Sequence, residues 1–351
     1  MTKALIYDFD LKQLAVQLAS WGEPAYRAKQ IWEGLYIQLW SKAEDFTTLS
    51  KPLRQKLDDA YSFSSLSEVE RVFSTDRQTT KVLFRLPDGQ PIETVLMRYA
   101  ERRTLCISTQ AGCAMGCVFC ATGQMGFRRN LSSGEIAEQV LLFARELKAE
   151  GERPTNVVLM GMGEPFHNYN ATMAAIDRLG DPGGFNMGAR RFTISTVGLI
   201  PAIKRFTTEK RQVGLAISLH ASEDALRSSM LPVNERFPIK KLIEACHEYV
   251  EDTGRRITFE WALIQGVNDS PDEARTLTRL LKGLNCHVNV IPLNPTSGYS
   301  GARSTRERVA AFQQVLESQG ISCTVRVRRG IDIHAGCGQL AGQADTPVSV
   351  V

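Results

Sequence analysis

The chain has 351 residues, 43% hydrophobic and 23% charged, with a formal net charge of +4. This is an ordinary globular composition, and it excludes a collagen-like, disordered or disulfide-scaffold chain. No apolar run approaches the roughly 18 residues that span a bilayer, so no membrane partner is expected. The start, MTKALIYDFDLKQ, has no apolar h-region, which argues against a secretory leader. Eight cysteines without an export signal point to reduced thiols and a cytoplasmic location. The positive excess lies beyond residue 100, because residues 1–100 carry 13 Lys+Arg and 13 Asp+Glu. It gathers in Arg128-Arg129, Arg190-Arg191, Arg255-Arg256 and Arg328-Arg329. Arg forks suit phosphate, so together the pairs favour a polyanion partner, although each alone reads as a solvated loop end.

Residues 10–20 place Leu11, Leu14, Ala15 and Leu18 at helical spacing, with Asp10 as the cap. A second helix fits Pro24 to Tyr36, with Pro24 in its first turn, and a third fits Lys51 to Tyr61. Residues 1–65 thus read as a small helical accessory module. Arg27, Lys29, Lys51, Arg54 and Lys56 form its polar face, an RNA-facing surface or simply a solvated one. From about Val69 the pattern turns to strands. Lys81–Leu86 and Ile92–Met97 flank Pro87-Asp88-Gly89, a hairpin signal, so 66–98 reads as a linker and β-hairpin. Glu93 is the one acid in the second of these strands; on position alone it is a surface acid.

Strand-like runs then alternate with helices from residue 99 to about 340, leaving 341–351 as a tail. The strands are Thr104–Thr109, Asn156–Met162, Arg191–Val197, Val213–Leu219, Arg256–Leu263, His287–Leu293 and Ser322–Val327. The helices are Ser132–Lys148, Tyr169–Leu179, Ile239–Glu251, Pro271–Lys282 and Thr305–Ser318, the first opened by a Ser132/Glu135 capping box. Such alternation implies an α/β fold of parallel strands with right-handed crossovers. A partial (β/α)6 barrel fits; a doubly wound sheet is the competing reading.

The densest chemistry is Cys113-Ala114-Met115-Gly116-Cys117-Val118-Phe119-Cys120, spaced C-x3-C-x2-C. Thiolates suit iron–sulfur clusters or zinc. Cubane clusters usually take four Cys, so three on one loop leave an iron open, as a catalytic metal centre requires. A structural zinc loop completed by a distant His or Cys is the alternative. Polar or Gly-rich stops follow the strands in register: Gly161-Met162-Gly163-Glu164-Pro165, Ser195-Thr196-Val197-Gly198, Ser218-Leu219-His220 and Asn294-Pro295. In a β/α barrel these share one mouth at the C-terminal ends of the strands.

The cysteine loop resembles the C-x3-C-x-aromatic-C signature of the radical S-adenosylmethionine enzymes, with Phe119 in the aromatic place. That resemblance implies a partial barrel, a [4Fe–4S] cluster on Cys113, Cys117 and Cys120, and S-adenosylmethionine at the open iron. Cys106-Ile107-Ser108-Thr109-Gln110-Ala111-Gly112-Cys113, the Gly161 stretch, Ile217-Ser218-Leu219-His220-Ala221, Gly266-Val267-Asn268-Asp269 and residues 331–340 resemble, nearly end to end, the RNA adenine methyltransferases of the RlmN and Cfr type.

The resemblance implies methylation of an adenine ring carbon through two S-adenosylmethionine molecules per turnover. Cys337, between Gly336 and Gly338, takes the position that carries the methyl group; Cys106 takes that of the resolving thiol, in a transient disulfide with Cys337. Glu93 takes that of the proton acceptor. Gly163, Glu164, Ser195, Ser218, Leu219, His220 and Asn294 match the cofactor contacts. The implied partners are 23S rRNA at the peptidyl transferase centre, some tRNAs at the adenine next to the anticodon, and an external flavodoxin- or ferredoxin-type electron donor. C2 is the preferred carbon; C8, as in the resistance branch, is the alternative. The chain departs from the family with His334 and Gly336, where Asp and Ala are common; His334 reads as facing water. Taken alone, Cys106, Cys246, Cys286 and Cys323 read as small buried hydrophobes and His220 as a core or rim histidine. The rival from another class is a zinc-stapled RNA-binding protein without chemistry.

Overall fold

The computed structural model describes residues 3–327 and 329–342; Arg328 and most of the expected tail lie outside them. Near the start, β1 (Ala4–Leu5) pairs in parallel with β2 (Tyr61–Ser62) and closes a unit of three helices, α1 (Leu11–Ser20), α2 (Tyr26–Glu33) and α3 (Lys51–Ala60). Asp10 caps α1 as expected: its carboxylate accepts the Gln13 N–H, and the Gln13 side chain accepts the Asp10 N–H, both at 2.8 Å. Pro24 is not in the second helix. It precedes Tyr26, and the helix continues as a π-helical turn, Gly34–Gln38. A side chain at Gly34 would lie 2.4 Å from the Phe46 ring and 2.5 Å from Trp40, so glycine lets these aromatics close on the turn.

The expected hairpin belongs to a three-stranded antiparallel unit, β3 (Ser67–Phe73), β4 (Thr79–Arg85) and β5 (Pro91–Arg98). Gly89 turns it with φ +82°. β5 runs antiparallel to β6 (Arg103–Cys106), so the hairpin and the barrel share one sheet. The chain next forms a separate ribbon of β7 (Gln110–Gly112) and β8 (Phe127–Asn130), with the short α4 (Ala121–Gln124) between them. Then follow α5 (Ser133–Ala149), β9 (Asn156–Leu159), α6 (Tyr169–Gly180), β10 (Phe192–Thr196), α7 (Ile200–Thr208), β11 (Gly214–Ser218), α8 (Asp224–Met230), α9 (Ile239–Thr253), β12 (Ile257–Leu263), α10 (Pro271–Leu280), β13 (Cys286–Pro292), α11 (Arg306–Ser318) and β14 (Ser322–Val325). The large sheet is ordered β14-β13-β12-β11-β10-β9-β6-β5-β4-β3. From β6 onward all pairs are parallel and the order never reverses. A doubly wound sheet would reverse at a switch point, so the partial (β/α) barrel is the fold, with the short β14 extending its edge.

Helices α7 and α8 were not read from the sequence. Pro201 lies in the first turn of α7, and α8 spans only seven residues. The helical unit docks on α5: Asp8 Oδ1 accepts the Gly134 N–H at 2.7 Å, at the positive end of that helix. Arg145 Nη2 donates to the Tyr7 hydroxyl at 2.6 Å.

Candidate active site

The cysteine loop follows β7. Gly112 has φ +71°, and a Cβ there would lie 1.9 Å from the Gly126 carbonyl oxygen; only glycine fits. Gly116, between the first two thiols, also has positive φ. Cys113, Cys117 and Cys120 line one side of a cavity of about 160 Å³ at the C-terminal ends of the parallel strands. All three are free thiols. Burial pushes the Cys113 thiol up to about 12 and raises those of Cys117 and Cys120. Such thiols need a cation to ionise, and a coordinated metal supplies one. Among the described residues no three His, Cys, Asp or Glu side chains gather around a single-ion position. Three soft donors lining one cavity suit a multi-iron cluster, in which each thiolate holds its own iron.

The opposite wall comes from the strand ends. Gly163 has φ +104° and meets Gln110, whose Oε1 accepts the Glu164 N–H at 2.8 Å. Glu164 accepts the Phe166 and Val197 N–H groups, each at 2.9 Å. Burial nevertheless pushes its carboxyl up to about 7. An acid held this way is ready for a cationic amino group. Ser195 and Ser218 hydroxyls lie 3.4 Å apart on the same wall. His220 lines it too, at φ +63°, its Nδ1 accepting the Ala262 N–H at 2.9 Å. Burial, with the Arg227 charge second, pushes it down to about 3, so it is a neutral core histidine. Leu219 is fully buried and does not line this cavity.

A second, smaller cavity of about 40 Å³ adjoins the first, and Met160, Ile291, Asn294, Arg326 and Cys337 line both. Cys106 lines it from the end of β6. The structure therefore brings Cys106 and Cys337, 231 positions apart in the chain, to one small space as free thiols. Burial pushes the Cys106 thiol up to about 12. Asn294 Nδ2 donates to the Cys337 carbonyl at 3.1 Å.

The segment carrying Cys337 is fastened along its length. Asp332 accepts the Thr75 N–H at 2.7 Å. The Gly338 carbonyl accepts the Ala121 N–H at 2.8 Å, and the Leu340 carbonyl accepts the Thr122 hydroxyl at 2.6 Å. Ala341 and Gly342 N–H groups donate to Glu93 Oε2 at 2.8 and 3.2 Å. Glu93 is thus no surface acid. It is 1% exposed, paired with Lys81, and lines neither cavity. Burial raises its carboxyl above the ordinary range.

Arg129 is engaged with Asp88 and Glu135 rather than free for phosphate. Cys286 and Cys323 are half-buried, whereas Cys246 is fully buried. His334 is half-buried, at φ +50°, and lines neither cavity.

Three supporting residues went unread. Arg227 is fully buried and donates to the Val197, Ser218 and Leu219 carbonyls at 2.7, 3.1 and 3.0 Å, clamping the loops after β10 and β11. Gln139 on α5 joins Thr94 to the Ser108 backbone. Arg326 lies just past β14 between the two cavities. No motif marked them. An Arg in a polar helix or after a strand end reads as solvent-facing until the fold turns it inward.

Comparison with known proteins agrees with this geometry. Residues 107–278 match the Radical SAM superfamily, and residues 5–62 match the ribosomal RNA large subunit methyltransferase N-terminal domain. A probable dual-specificity RNA methyltransferase RlmN of Chloroflexus aurantiacus is 50% identical over 100% of this chain and 96% of its own. Dual-specificity RNA methyltransferase RlmN 1 of Myxococcus xanthus is 51% identical over 97% of this chain and 94% of its own. The crystal structure of a radical SAM methyltransferase from Sphaerobacter thermophilus superposes with a TM-score of 0.95 at 51% identity, covering 97% of this chain and 100% of that one. Half-identity along the whole length, over a barrel with this cysteine loop at its mouth, makes the chain a member of the radical-SAM RNA methyltransferase family of the RlmN type.

Proposed function

We propose that this protein methylates C2 of an adenine in 23S rRNA and of the adenine at position 37 of some tRNAs, through an S-methylated Cys337. The carrying observation is that Cys106 and Cys337 line one small cavity, which adjoins the cavity lined by the three-cysteine loop. A purine ring C–H carbon is electrophilic and does not attack an ordinary methyl donor, so the methyl group is first parked on a protein sulfur. When bound, a [4Fe–4S] cluster and S-adenosylmethionine supply the electron, the methyl group and the radical that activates it, two cofactor molecules serving one turnover. The donor of that electron is an external protein of the flavodoxin or ferredoxin type.

Cys113, Cys117 and Cys120 hold the cluster. Glu164, beside Gly163, accepts from the cofactor's amino group, and Ser195, Ser218, the Leu219–His220 backbone and Asn294 complete its seat. Cys337 takes the methyl group and carries it to the base. Glu93 takes the ring proton, which requires the base to displace the Ala341 and Gly342 N–H groups now occupying its carboxylate. Cys106 then attacks the Cys337 sulfur, forming the disulfide as the carbon–sulfur bond breaks. The target base must leave its stack to reach such an enclosed thiol. Residues 1–65 and the hairpin of 66–98 act as RNA-facing accessories to the core of 99–340.

In the test, Cys106→Ala traps RNA covalently on Cys337, and Cys337→Ala abolishes both adduct and methylation. RNA methylation by Cys337→Ala at the unmodified protein's rate would end the two-thiol scheme. Mass spectrometry of the adenine product separates C2 from the C8 alternative.

A further inference from the structure

Arg326 stands at the wall between the two cavities. Its Nη1 donates to Cys337 Sγ at 3.4 Å and reaches Met160 Sδ at 4.0 Å. Among the described residues these two sulfurs are its side-chain hydrogen-bond partners. Its backbone is fixed by an N–H bond to the Val290 carbonyl at 2.8 Å, so the guanidinium hangs from the sheet edge and not from a loose loop. Glu260 also lines the first cavity and attracts the guanidinium, and its carboxylate accepts from Asn289 Nδ2 at 2.7 Å. A cation taken out of water needs an anion beside it. Glu260 supplies one without a hydrogen bond to the guanidinium; the atom that the guanidinium touches is the Cys337 sulfur.

We propose that Arg326 is a positioning residue that holds Cys337 Sγ at the junction of the two cavities and stabilises its anionic, nucleophilic form for methyl uptake. In that step the sulfur's electron pair forms the S–CH3 bond. The sulfonium–methyl bond breaks, its pair staying on the cofactor sulfur, and the thiol proton has already left to solvent. A charge-assisted N–H···S⁻ contact is stronger than one to a neutral thiol, and a low-dielectric wall enlarges the difference. Other titratable groups also line these cavities. They are Cys106, Tyr99 and Arg329 in the second, and Glu164, His220 and Glu260 beside the three loop thiols in the first. His220 is neutral, and Arg329 lies 4.4 Å over the Tyr99 ring. Arg326 is therefore the lining cation that touches the reacting sulfur. Arg326 and Cys106 line the same cavity, so the guanidinium remains beside the site when Cys106 later attacks the methylated sulfur.

The proposal rests on Cys337 being the methyl acceptor, but its test involves no methyl transfer, so the two fail separately. Holoenzyme reconstituted anaerobically with iron and sulfide, from protein whose Cys337 peptide is unmethylated by mass spectrometry, is treated with iodoacetamide at pH 7. Carbamidomethylation of the Cys337 peptide is followed by mass spectrometry and scaled to that of half-buried Cys286 in the same sample. Arg326→Met should slow Cys337 at least tenfold relative to Cys286. Arg326→Lys, which keeps a cation, should recover to within threefold of the unmodified protein. Arg326→Gln serves as the neutral variant if the Met protein loses its iron. A neutral variant that keeps its iron and alkylates within twofold of the unmodified protein overturns the proposal. So does Arg326→Lys as slow as the neutral variants, because shape rather than charge is then at work. So does a tenfold loss of S-adenosylmethionine binding with alkylation unchanged, which would give the guanidinium to the cofactor.

Discussion

Lys81 Nζ lies 3.3 Å from Glu93 Oε1, and the two side chains are only 4% and 1% exposed. Removing one partner of such a pair leaves the other charge buried, at a cost of about 3–5 kcal/mol. Lys81→Met is expected to lose about that much in urea unfolding, while Lys81→Met/Glu93→Gln recovers most of it. A loss below about 1 kcal/mol in the single variant would mean that the Ala341 and Gly342 N–H groups alone satisfy the acid.

His220 gives the acid limb of stability. Its folded value of about 3 lies below the ordinary 6.5, because burial opposes the charged ring. A depressed base contributes stability above its unfolded pKa. That contribution drains as pH falls from about 6.5 toward about 3, at up to about 1.4 kcal/mol per unit. His220→Asn tolerates the positive φ and removes the titration. The unmodified protein should therefore lose stability faster than the variant between these limits. Parallel denaturation curves across that range would contradict the assignment.

Gly112→Ala puts a methyl group against the Gly126 carbonyl and forces a side chain to φ +71°. The backbone cost alone is about 1–3 kcal/mol. The β7–β8 ribbon should shift, carrying Cys113 off its wall. Iron and sulfide analysis is expected to show most of the cluster lost while far-ultraviolet circular dichroism changes little. Full iron occupancy would show that the loop tolerates the displacement.

Arg227→Met takes its donors from the Val197 and Ser218 carbonyls, while the Leu219 carbonyl keeps the Ala221 N–H at 2.9 Å. Each buried group so abandoned costs about 1–3 kcal/mol. The loops after β10 and β11 also carry the candidate cofactor seat. Equilibrium binding of S-adenosylmethionine should weaken at least about tenfold, which is 1.4 kcal/mol of seat distortion. Unchanged affinity would separate the clamp from the seat.

The repeating strand–helix pattern, the Asp10 and Ser132 caps and the Asp88-Gly89 turn were legible because each is a local signal. Period, capping chemistry and positive φ act within a few residues. The cysteine loop was legible for the same reason, and its glycines have left-handed backbone. The inward turn of Glu93 was not: strand alternation gives two faces without saying which one another layer covers. Here the layer is the chain's own segment 341–342, some 250 residues away. Arg227 and Arg326 escaped because their burial follows from closure of the barrel, a property no window of sequence contains. Resemblance to a family located Cys106 and Cys337; the fold shows why two such distant thiols meet.

The stretch from Asp332 to Gly342 fastens, in turn, to the β3–β4 turn, the start of α4 and the β5 acid. It works as a clasp across three parts of the fold, in addition to the Asp88–Arg129 pair and the Gln139 links between them. A protease nick within it would loosen the buried Ile333 and Leu340 while leaving the strands and helices of the barrel intact. It would still free the Gly338 carbonyl, next to Cys337, from the Ala121 N–H that ties this segment to the cysteine loop. Integrity by circular dichroism is then no guarantee of competence, and preparations of this enzyme should be judged by the intactness of its last described dozen residues.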